Sequence, residues 1–140
     1  MLPINYMAVF VAALAAFIIG FLMHGPVAGK LWMRLANIRM TGNEKMSDMY
    51  GRMLWNFLVN LVTAYALAVV YLFASTSAYA GGPSIVTGLM CGFLAWLGFL
   101  ATATSIEVIW MGRSFKLWLF EFASSFIVML AMGAIIAAFR

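Results

Sequence analysis

Four stretches of the chain, at about 4–23, 50–74, 84–111 and 115–139, are each long and apolar enough to cross a bilayer. They constrain the fold more than any other feature. A spanning helix takes roughly 20 mostly apolar residues. In hydrocarbon every backbone N–H and C=O needs a partner, so continuous runs of this kind are helices; the strands of a membrane barrel would alternate. Composition agrees: 66% of the 140 residues are hydrophobic and 9% are charged, where a soluble domain carries about a quarter. The expected fold is therefore all-α, a four-helix transmembrane bundle forming one integral-membrane domain over residues 1–140. The first run is read as a retained helix. Its opening "MLPINYM" lacks a positive charge, and the run is longer than the apolar core of a signal peptide.

Charge placement sets an orientation. Lys30, Arg34, Arg39, Lys45 and Arg52 flank the first connection, and Arg113 and Lys116 flank the third. The second connection, "STSAYAGGPS", has no charge, and the remaining basic residue is Arg140. Seven of eight basic residues thus share one side, which the positive-inside rule assigns to the cytoplasm. Both termini are then expected on the outer side. The long first connection carries Val27, Leu31, Leu35 and Ile38 on one helical face and Lys30, Arg34 and Asn37 on the other. This pattern predicts an interfacial amphipathic helix over 27–38, with Lys30, Arg34 and Trp32 as candidate contacts to lipid headgroups. "TGNEK" reads as a turn, with Asn43 or Ser47 as the cap of the second spanning helix. A nucleic-acid partner would need a basic face on a soluble domain, and the sequence has none.

Small residues mark where helices can approach closely, because lipid supplies no hydrophobic drive between them. Ala8, Ala12, Ala16 and Gly20 recur every fourth position, and Gly88 and Gly92 have G-x-x-x-G spacing. These are candidate packing seams within the bundle or between subunits, and a homo-oligomer or a larger membrane complex is the expected assembly. The polar residues are fewer. Glu107 and Glu121 interrupt the third and fourth runs on either side of a tight hairpin, at comparable depth, roughly 6–9 Å inside the membrane boundary by helix rise. His24, Arg52, Asn56 and Asn60 reach the same layer, and Arg52, Arg113 or Lys116 could neutralise the carboxylates. One histidine without a spacing motif does not describe a metal site. Cys91 is a lone cysteine in an apolar run, and no catalytic order or phosphate loop occurs, so no cofactor is implied.

Two segments carry a family resemblance. "MAVFVAALAAFIIGFLMHGPVAGKLWMR" resembles the opening of the membrane family catalogued as domain of unknown function 1761, with Gly20, Pro26, Gly29, Lys30, Trp32 and Met33 at the matching positions. "WLGFLATATSIEVIWMGRSFKLWLFEF" is similar to its second half, through Gly98, Phe99, Gly112, Arg113, Ser114, Leu117 and Glu121, and "MGAIIAAF" to its close. The chain departs from the pattern at Met23-His24, where the family has Trp-Tyr, at Met111, where it has an acid, and at Glu121, where Asp is commoner. The resemblance implies a four-helix bacterial inner-membrane protein and brings no activity with it. Three function classes stay open: an oligomeric scaffold or accessory subunit, a proton- or cation-coupled transporter using Glu107 and Glu121, and a lipid- or quinone-binding protein.

Overall fold

The computed structural model describes residues 3–39, 46–77 and 82–139. Its helices are α1 (Tyr6–His24), α2 (Gly29–Leu35), α3 (Met46–Thr76), α4 (Ile85–Ala95), α5 (Thr102–Met111) and α6 (Phe115–Ala138). Between α4 and α5 the chain continues as a π-helical segment, Trp96–Ala101. Four helical stretches are long and apolar enough to cross a membrane: Tyr6–His24, Met49–Thr76, Ile85–Met111 and Phe115–Ala138. The all-α, four-helix membrane architecture expected from the hydropathy pattern holds, and the described residues contain no strand.

Local chemistry fixes the ends. The Asn5 side chain caps α1 by accepting from the Met7 and Ala8 N–H groups, which satisfies two of the donors a helix start leaves open. Ser84 caps α4 by accepting from Thr87 N–H. Gly112 sits at φ 64, and the N–H groups of Gly112 and Arg113 both turn back to the Glu107 carbonyl. A left-handed residue here costs glycine little, and it reverses the chain into a hairpin with α6. Helix α2 is shorter than the 27–38 predicted. Asn37, at φ 53, ends it, with Asn37 N–H donating to Arg34 and Ile38 N–H to Met33. That pattern is a Schellman terminus with asparagine as the left-handed residue, and it leaves Val27 and Ile38 outside the helix. Helix α3 begins at Met46, so Ser47 lies inside it rather than capping it; Asn43 lies outside the described residues.

Helix α6 is packed between α1 and α4, and α3 completes the bundle against α1 and α4. The core consists largely of small side chains from α1 (Ala12 and Ala13, both 0% exposed) facing Ala64, Leu67 and Tyr71 of α3 and Met132 and Ile136 of α6. Helices α4 and α6 come closest. A Cβ placed on Gly88 would stand 2.2 Å from the Gly133 carbonyl oxygen, and one on Gly92 2.4 Å from that of Met129. Backbone contact of this kind gathers many small dispersion gains where lipid offers no hydrophobic contrast. Outward faces carry Phe99, Val62 and Ile109. An apolar surface of this extent suits lipid and not water.

The π segment changes the course of the third span. A wider turn frees backbone carbonyls, and threonine hydroxyls take them up: Thr102 donates to Gly98 O (2.7 Å) and Thr104 to Leu100 O (2.7 Å). Such re-satisfaction lets an irregular turn persist in a spanning helix. Beyond it α5 contains no buried residue. Among the described residues α3 packs along α4 but approaches neither the π segment nor α5.

Candidate functional site

The hairpin between α5 and α6 brings both glutamates to one arginine. Arg113 donates through Nη1 to Glu107 Oε2 and through Nη2 to Glu121 Oε1, the latter at 2.7 Å. The side chains are between a quarter and two-fifths exposed, Glu107 most. A guanidinium suits this arrangement because its planar fork presents separate donors to separate carboxylates. Next to the ion triad, Trp118 Nε1 donates to Thr104 Oγ1 at 3.0 Å and pins α5 to α6. That bond also corrects the expectation of equal depth. Glu107 lies three residues toward the hairpin from Thr104 and Glu121 three residues away from it beyond Trp118, so the carboxylates stand about 9 Å apart along the helix axes. The arms of both glutamates and the turned-back Arg113 close that gap.

The remaining polar residues do not join the triad. The His24 ring lies against Trp32 of α2 and Phe120 of α6, edge-on at 5.2 and 5.6 Å, and Nδ1 is 2.9 Å from the Gly20 carbonyl. It fastens α2 to the bundle. Arg52 and Lys116 are exposed and form no ion pair among the described residues. Asn56 and Asn60 sit on a flank of α3, linked to each other by Asn60 Nδ2 donating to Asn56 Oδ1 at 3.3 Å. Three separate features therefore replace the continuous polar layer that spacing suggests. Among the described residues no group of histidine, cysteine and carboxylate side chains is arranged to hold a metal ion.

Lys30 and Arg34 are exposed on α2, while Trp32 is half-buried against His24. Of the small-residue seams, Ala8, Ala12 and Ala16 are buried inside the protomer, as are Gly88 and Gly92. Gly20, at the same spacing, has nothing within 4 Å of a Cβ position.

Sequence reasoning overlooked Trp96. It is 6% exposed, and its Nε1 donates to the Phe122 carbonyl (3.1 Å) and to Ser125 Oγ (3.2 Å). With Phe93, Phe122 and Phe126 it fills the space between the π segment and α6. A tryptophan in mid-run, away from any interface, was the available signal.

The family model for proteins of unknown function DUF1761 matches residues 7–137, nearly the whole chain and every helix just described. The chain belongs to the DUF1761 family. The match takes in the α5–α6 hairpin of this DUF1761 member together with the α3 flank, and it carries no activity with it. No curated protein and no solved structure matches the chain.

Proposed function

We propose that this DUF1761 chain is a membrane scaffold that assembles with a second copy of itself along the α3 flank carrying Asn56 and Asn60. One observation carries the reading. Two carboxamides occupy a spanning helix at the edge of the bundle and, among the described residues, bond only to each other. Asn60 is eight residues from Arg52, about 12 Å deeper by helix rise, where an unsatisfied amide is costly. An amide donates and accepts, so this flank is complementary to itself. Parallel pairing about a two-fold axis brings Asn56 and Asn60 opposite their equivalents. Gly51, with nothing within 4 Å of a Cβ position, and Trp55 border a shallow groove on the same face.

The alanine and glycine seams are used within the protomer, which leaves the α3 flank as the place for a partner. Close packing at Gly88, Gly133 and Met132 supports a solid body over a conducting route. The reading places the protein in a bacterial inner membrane, with the end bearing Lys30, Arg34, Arg52 and Arg113 in the cytoplasm. There Lys30 and Arg34 meet anionic headgroups. The ion triad, on this reading, locks the hairpin.

Native mass spectrometry after mild detergent extraction tests the assembly. A dimer is expected, weakened about 10- to 100-fold by combining Asn56→Leu with Asn60→Leu, since each interhelical polar contact contributes ~0.6–1.7 kcal/mol. A monomer, or a dimer indifferent to these substitutions, refutes the proposal. A fixed stoichiometry with a different chain would assign the flank to a foreign helix.

A further inference from the structure

At the end of the bundle opposite the hairpin, a cavity of about 170 Å³ lies between the start of α1, the last turns of α3 and the end of α6. Its walls include Ile4, Ala68, Leu72 and Ile136, and no charged residue lines it. Polar capacity at the wall is nearly used up. The Asn5 amide caps α1 and donates to the Phe139 carbonyl, and Ser75 Oγ donates to Leu72 O at 2.9 Å. Tyr71 is the exception. It lines the cavity and is 6% exposed, and its hydroxyl has no hydrogen-bond partner among the described residues. Native folds rarely leave a buried hydroxyl in that state, because it forfeits its bonds to water and gains none.

The geometry points to a binding site for the carbonyl end of a neutral, largely apolar molecule, held by the Tyr71 hydroxyl. The phenol supplies a donor, and a carbonyl oxygen is the acceptor that brings no charge into an uncharged wall. An anionic or cationic ligand would arrive without a counter-ion and lose its hydration. The volume is below the roughly 300–1,000 Å³ of sites that enclose a whole ligand. It suits one end of a molecule whose body extends into lipid. Two membrane compounds offer that chemistry, the acyl ester of a phospholipid and the ring of an alkylated quinone. The site lies apart from the α3 flank and does not depend on the dimer.

The test is made with the full chain in nanodiscs of ether-linked phospholipid, which has no ester carbonyl. Binding of a radiolabelled decyl-benzoquinone is measured, and unfolding midpoints are compared between ether- and ester-linked lipid. A quinone ligand is shown by saturable binding that Tyr71→Phe weakens about tenfold, the equivalent of one hydrogen bond, and that Ala68→Met reduces by filling the cavity. A lipid ester is shown by a higher midpoint in ester-linked lipid that Tyr71→Phe abolishes. Tyr71→Phe removes one oxygen and keeps the ring, and its fold is checked by circular dichroism; Ala68→Met keeps the phenol and tests the same cavity independently. If neither lipid nor quinone responds to either substitution, the hydroxyl is only a buried orphan and the proposal is overturned.

Discussion

At the scale of single residues, Arg113 decides the character of the hairpin. With it, the two glutamates share one guanidinium and the triad carries one net negative charge, from two carboxylates and one cation. Removing it leaves two carboxylates facing each other at the edge of the bilayer. Arg113→Met is expected to destabilise the protein by ~1–2 kcal/mol, less than for a fully buried pair because the groups remain partly exposed. Unfolding in mixed micelles of dodecyl maltoside and SDS measures it. Adding Glu107→Gln and Glu121→Gln to the same chain should recover most of the loss. Trp96→Phe removes a donor from the Phe122 carbonyl and Ser125 and is expected to cost about 1 kcal/mol, read in the same titration. The two carboxylates were conspicuous in the sequence, because charge in an apolar run is rare. Their partner was not, since Arg52, Arg113 and Lys116 all stand near the same boundary. The left-handed turn at Gly112 selects Arg113, and a glycine in a loop does not announce its dihedral angle. Trp96 was illegible for a different reason: its acceptor is a backbone carbonyl 26 residues away.

At the scale of elements, close helix contact rests on three glycines. Gly88→Ala would drive a methyl into the Gly133 carbonyl and the Ala137 side chain, and α4 and α6 would have to separate. A loss of ~1–3 kcal/mol or more is expected, with Gly133→Ala equivalent. Gly20→Ala, which meets nothing within 4 Å, should stay within ~0.5 kcal/mol. A difference between these variants of the opposite sign would refute the packing account. The spacing of small residues was plain in the sequence, but spacing cannot tell an occupied seam from an open one. Ala16 and Gly20 are one turn apart on the same face, and only Ala16 is buried. The extents of the spanning helices were readable because length and hydropathy fix them. The end of α2 was not, because it depends on Asn37 adopting a positive φ.

At the scale of the whole molecule, topology joins the charge pattern to the fold. Native Cys91 is buried, so the wild type gives a low background with a membrane-impermeant thiol reagent. On the proposed orientation, Thr76→Cys reacts in intact cells, and Met111→Cys reacts only after the cytoplasmic face is opened. The reverse result would invert the orientation and leave the bundle unchanged. The π segment extends its influence over everything that follows it. A ring closed from residue i to i+5 holds one amino acid more than an ordinary helical turn, so the third span contains a single surplus residue between Trp96 and Ala101. Excising Gly98 would restore a uniform helix and rotate α5 by about 100°, carrying Thr104 away from Trp118 and Glu107 away from Glu121. Inserting one alanine after Ala103 should reset the phase and recover the unfolding midpoint. The angular setting of the α5–α6 hairpin is thus a matter of counting, held by one amino acid that the span could lose and still cross the membrane.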